Sequence, residues 1–155
     1  MMKRFLKDER GNAVVWSAFL VLILFTLSFV VYGAVTIYSK YQNCETELER
    51  TAIMAVDQSM SNPKVRDMQL DIPAVPALVA LEQSLIGMGW AKESGSWVKR
   101  ANGKSLYRLD GLVATADGRR LRITAVCVMS LPWEIGGLKE VSLPIRAQTT
   151  ILTID

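Results

Sequence analysis

Apolar residues crowd the first quarter of the chain and settle into two different rhythms after it. The run AVVWSAFLVLILFTLSFVVYGAVTIY, from Ala13 to Tyr38, has 26 positions, of which only Ser17, Thr26, Ser28, Gly33 and Thr36 fall outside the apolar set. No charge occurs between Gly11 and Ser39. At about 1.5 Å per residue such a helix reaches about 39 Å, past the roughly 30 Å of hydrocarbon in a bilayer. Fifteen of its residues are Leu, Ile, Phe or Val, worth together roughly −5 to −9 kcal/mol toward lipid on an insertion scale. A helix apolar on every side needs lipid or a large protein around it. A chain of 155 residues leaves too little mass for the second. The pattern predicts a membrane span over 12–39.

Over 40–60 the rhythm becomes that of one helix face. Tyr41, Cys44, Leu48, Thr51, Ala52, Ala55, Val56 and Met60 recur at steps of three and four, with Glu45, Glu47, Glu49, Arg50 and Asp57 opposite them. No Gly or Pro interrupts, so one continuous helix of about 45 residues is expected, apolar in its first half and amphipathic in its second. Ser61-Asn62-Pro63 should end it. A polar connector follows over 64–71. Leu78, Leu81, Leu85 and Met88 then mark a short helix from about Pro76 to Met88, with Gly87 and Gly89 placed to terminate it.

From Trp90 onward the period is two. Asn102-Gly103 is a strong hairpin signal and Asp117-Gly118 a second turn. Leu121, Ile123, Ala125, Cys127 and Met129 share one strand face, with Arg120, Arg122 and Thr124 on the other. Leu131–Lys139 reads as a loop. The last strand alternates Val141, Leu143, Ile145, Ala147, Thr149 and Ile151, and Pro144 within it suits an edge or a bulge. The expected fold class is α+β. A long N-terminal transmembrane helix extends into a head over 61–155 that holds a short helix and an antiparallel sheet of three to four strands.

Charge gives the span a direction. Lys3, Arg4, Lys7 and Arg10 precede it in a basic tail over 1–11, whereas Lys40 and Arg50 behind it are outnumbered by Glu45, Glu47 and Glu49. Basic residues are retained on the cytoplasmic side during insertion. The expected localisation is the cytoplasmic membrane, single-pass, with the N-terminus inside and the head extracytoplasmic. Trp16, Tyr32, Tyr38 and Tyr41 lie toward the ends of the span, where amphipathic rings favour the interface. A cleaved secretory signal would have a shorter apolar region and a small-residue cleavage site. The run here is too long, and SKYQNCE offers no such site.

Composition then narrows the chemistry. There is no histidine, which removes the usual general base, the imidazole metal ligand and any Ser-His or Cys-His pair. The formal charge of +3 is scattered, without the dense basic run that nucleic acid would call for. No enzyme, cofactor or small-molecule substrate is expected. Asp110-Gly111 and Asp117-Gly118 read as turns rather than cation ligands, because a calcium loop needs several oxygens at set spacing. Glu45, Glu47 and Glu49 read as a solvated helix face, and Arg119, Arg120 and Arg122 as a solvated strand edge. Gly87-Met88-Gly89 and Gly136-Gly137 lack the spacing of a phosphate loop. Ala13 and Ser17 stand at a small-x-x-x-small spacing that permits close helix approach. Cys44 and Cys127 fall on faces that could meet, either as a disulfide or as two buried free thiols.

A basic tail ending in Glu9-Arg10-Gly11-Asn12-Ala13, the long apolar helix and the stretch YQNCETELERTAIMAV together resemble the TadE-like pseudopilins, minor pilin-like proteins of tight-adherence (Flp-type) pilus and secretion systems. LPWEIGGLKEVSLPIRAQTT looks like the ending of related pilin-like proteins. The resemblance implies a structural subunit whose partners are other pilin-like subunits, membrane assembly proteins and the lipid bilayer. It also implies that a prepilin peptidase would cut between Gly11 and Asn12. In the family a Glu stands five residues after that Gly; here the position holds Trp16, and no acid follows until Glu45. A minor, unprocessed or accessory subunit is therefore expected. The alternative is a stand-alone membrane-tethered binding or sensor domain.

Overall fold

The computed structural model describes residues 9–60, 71–135 and 138–150. Backbone contacts divide the chain into two compact units, Met1–Ile37 and Tyr38–Asp155. The first helix, α1, runs without a break over Glu9–Ser59, a little longer than its periodicity predicts. The Ser61-Asn62-Pro63 stop, most of the 64–71 connector, Gly136-Gly137, Ile151 and most of the basic tail lie outside the described residues.

In the first unit α1 is long and apolar enough to cross a membrane. Every residue from Asn12 to Tyr32 is exposed, Phe25 by 74% and Val15 by 68%. The few hydroxyls in this stretch turn inward on the helix itself. Ser17 donates to the Val14 carbonyl at 2.9 Å, Thr26 to Leu22, Ser28 to Leu24 and Thr36 to Tyr32, each at 2.8 Å. That back-bonding satisfies these four hydroxyls within the helix, as a hydrocarbon surrounding would require.

The second unit is α+β. Its core receives one face of α1: Cys44, Leu48, Thr51, Ala52, Ala55 and Val56 are all buried, as their spacing predicts. The second helix, α2, spans Ala74–Gly87. Pro73 caps it in an extended conformation, and Pro76 stands in the first turn, where a missing N–H costs no helical bond. Ala77, Ala80, Leu81, Ser84 and Leu85 form its inner face. Gly89, at φ +85°, turns the chain out of it.

Five antiparallel strands follow as a meander in the order β1-β2-β3-β4-β5: β1 Trp90–Glu93, β2 Ser96–Ala101, β3 Lys104–Asp117, β4 Arg120–Ile135 and β5 Leu138–Thr150. The sheet thus exceeds the expected three or four strands. The extra one is β1, joined to β2 by Ser94-Gly95, both at positive φ (49° and 87°), the conformation of a type I′ turn. Asn102-Gly103 makes the same turn between β2 and β3, as expected. The expected loop over Leu131–Lys139 is a correction: β4 continues to Ile135, β5 starts at Leu138, and the two residues pair directly. A register shift between Ser130 and Ile135 absorbs the irregularity that Pro132 introduces into the ladder. Pro144 lies on β5, the edge strand, as its missing N–H demands.

Asp110-Gly111 is not a turn. Asp110 pairs with Val126 and Val113 with Thr124, so Gly111 and Leu112 face the single residue Ala125. This is a β-bulge, with Gly111 at φ +60°. Leu109, Leu121, Ile123, Cys127, Met129, Ile145 and Ala147 are buried, none more than 1% exposed.

Candidate functional site

The polar chemistry of the described residues concentrates where the second half of α1 meets the sheet. Successive turns of α1 reach different elements. Lys40 Nζ donates to the Ser130 carbonyl at 2.9 Å, and the Tyr41 hydroxyl to the Pro144 carbonyl at 3.2 Å, tying the helix to β4 and β5. One turn on, Cys44 lies against Cys127 of β4, with 3.1 Å between the sulfurs. Glu47 then reaches β2, where its carboxylate takes Lys99 Nζ at 2.6 Å. The Thr51 hydroxyl donates to the Glu47 carbonyl at 2.7 Å and touches the Met88 sulfur at 3.0 Å, at the end of α2. The helix therefore crosses the sheet obliquely, from β4–β5 toward β2 and α2.

Aromatic rings line the same seam. Trp90 and Tyr107 stack with centroids 6.2 Å apart, and Lys99 Nζ lies 5.9 Å from the Trp90 ring. The Trp90 indole N–H is buried without a hydrogen-bond partner among the described residues. Burial raises the Tyr107 phenol above its ordinary pKa, and the Glu47 charge adds to the shift, while a hydrogen bond with Asn43 opposes it. Tyr41 is likewise raised by burial and by Glu45. In the cysteine pair, the hydrogen bond with Cys127, reinforced by burial, pushes the Cys44 thiol far up. The same bond lowers Cys127. The sequence brought these two cysteines forward as a pair, and the structure brings them together. Both are free thiols here.

Glu47 corrects the expected solvated carboxylate face. It and Glu45 are half-buried, whereas Glu49 is exposed. Sequence reasoning missed the Glu47–Lys99 pair, since the partners lie 52 positions apart and neither stands in a motif. The other candidates are structural. Asp110 accepts from Arg108 at 3.2 Å, and Asp117 pairs with Arg120 across the β3–β4 turn. Arg119, Arg120 and Arg122 are exposed. Gly11 and Asn12 lie within the first turn of α1. Among the described residues no group of three or more His, Cys, Asp or Glu side chains could hold a metal ion.

No family model, curated protein or solved structure matches this chain.

Among the described residues of the head, apolar side chains stay exposed on both helices and on the sheet, where Val113 and Val126 face outward. Ile53 and Met54 face outward from α1, and Val75, Val79 and Ile86 from α2. An open groove of about 450 Å³ runs between α2 and the sheet, floored by Leu81, Leu85 and Trp97 and edged by the Glu82–Lys92 ion pair. None of these surfaces converges nucleophile, base or oxyanion donor in the way a catalytic site requires.

Proposed function

We propose that this protein is a single-pass, membrane-anchored, pilin-like structural subunit of a Tad-type pilus or secretion apparatus, acting as a minor pseudopilin. The observation that carries the reading is the division of labour along one continuous helix. Residues 12–32 expose apolar side chains on every side, and from Cys44 to Val56 one face of the same helix is buried in the α+β unit. Anchoring alone needs only about 20 apolar residues. The remainder of the same helix is used instead to build the head, the economy expected of a subunit that packs among similar helices.

The basic residues at 3–10 and the acidic ones at 45–49 support an N-in, C-out orientation. Trp16 in the place of the family's Glu supports an accessory rather than a major subunit, with Gly11-Asn12 left uncut. Isolation of the protein from native membranes under mild detergent tests the reading. Recovery with other single-span, pilin-like chains supports it. Recovery as a lone monomer would leave the tethered surface domain in its place.

A further inference from the structure

We infer that Cys44 and Cys127 form an intrachain disulfide in the mature head, covalently clipping the long helix to β4. The inference rests on the proposed export of the head. The chain has only these two cysteines, 83 positions apart, and folding brings their sulfurs to 3.1 Å with both side chains fully buried. Each arrives on a surface built for other reasons: Cys44 one turn before Leu48 on the buried face of α1, and Cys127 between Leu109 and Leu143 in the strand ladder. A bonded pair needs about 2.0 Å between sulfurs. The two sulfurs therefore have only about an ångström to close. Two core thiols serving only as small apolar groups have no need to meet each other.

The chemistry is thiol–disulfide exchange with a disulfide-bearing oxidant of the exported compartment. One cysteine thiolate attacks the oxidant's disulfide, forming a mixed disulfide and releasing one oxidant thiol. The second cysteine thiolate then attacks the mixed disulfide, forming the Cys44–Cys127 bond and releasing the other. The chain loses two electrons and two protons, and the oxidant gains both as its dithiol. Because both sulfurs are buried once the helix is seated, the exchange belongs to the stage before α1 docks, and the finished bond is shielded from reductant.

The test traps thiols in cells carrying the full-length protein. Acid quenching, denaturation and alkylation are followed by intact mass and a non-reducing gel. The expected result is no alkylated cysteine, a chain lighter by two hydrogens than its reduced form, and faster migration that Cys44→Ser or Cys127→Ser abolishes. A second strain carries Lys104→Cys on a Cys44→Ala, Cys127→Ala background and is treated intact with a membrane-impermeant maleimide. Two alkylated cysteines in the first strain, with labelling of intact cells in the second, would overturn the disulfide and leave the export intact. Two alkylated cysteines with labelling only after lysis would overturn both. Cysteine-linked dimers in place of the internal bond would also overturn it.

Discussion

Glu47 and Lys99 form an ion pair, 2.6 Å from oxygen to nitrogen, that joins the long helix to the second strand. Their side chains retain only 24% and 21% of their exposure, so the pair is shielded from solvent on most sides. Removing one member strands the other partly buried. Glu47→Ala or Lys99→Ala should each cost about 1 to 2 kcal/mol. The double variant should cost less than the sum of the singles, which chemical denaturation of the four proteins in a mutant cycle would measure.

Two neighbouring positions on α1 separate a packed helix from a projecting one. Leu48 is 1% exposed, whereas Glu49 faces solvent. Leu48→Ala should cost roughly 2 to 5 kcal/mol. Glu49→Ala should stay within about 0.5 kcal/mol of the parent. Equal small effects in thermal melts would mean that the helix is not seated on the sheet in solution.

These two residues also show how far the sequence is legible. Leu48 and its companions follow a 3.6-residue period, and because burial imposes that period, the inner face of α1 can be read residue by residue. Asn102-Gly103 is legible because few residue pairs accept two positive φ angles. Ser94-Gly95 adopts the same geometry less visibly, since serine is no strong marker of positive φ, and β1 is only four residues long with one buried position. Pro132 and the two following glycines suggest a loop, yet pairing with β5 carries β4 through to Ile135. Gly111 follows an aspartate and so reads as a turn; only the partner strand reveals it as a bulge. The ion pair could not be read at all, because its geometry exists only once helix and sheet have met.

Alkaline pH should loosen the head. The Tyr107 pKa lies above its ordinary 10.0 through burial first and the Glu47 charge second. The unfolded chain therefore gives up this proton before the folded one. Stability is fully present below pH 10, and falls as pH rises from there through the folded value. Tyr107→Phe should flatten the fall, at the cost of the Asn43 hydrogen bond. Melting temperatures across the alkaline range, on a Cys44→Ala, Cys127→Ala background that removes thiol titration, would measure it. An unchanged slope would contradict the assigned cause.

The N-terminal segment should remain attached. On the proposed pilin-like reading, Gly11-Asn12 would stand at the position of a prepilin-peptidase cut, with Trp16 where such a pilin would carry an acid. Intact mass of the membrane-extracted protein should include the residues before Asn12. A new N-terminus at Asn12 would show processing and shift the reading toward a filament subunit of the ordinary kind.

Replacing the span tests most directly whether it assembles or merely anchors. A chimera carries an unrelated apolar helix of the same length in place of Ala13–Tyr38, with residues 39–155 unchanged. Its head should still be exported and fold, since the described bonds from α1 to the sheet begin at Lys40 and the buried apolar face at Cys44, both within the unchanged residues. If the proposed pilin-like role holds, pilus formation or secretion should nevertheless be lost, and the chimera should no longer co-isolate with single-span, pilin-like chains. Full activity from the chimera would contradict the account, leaving the span as an anchor and the head as a tethered surface domain.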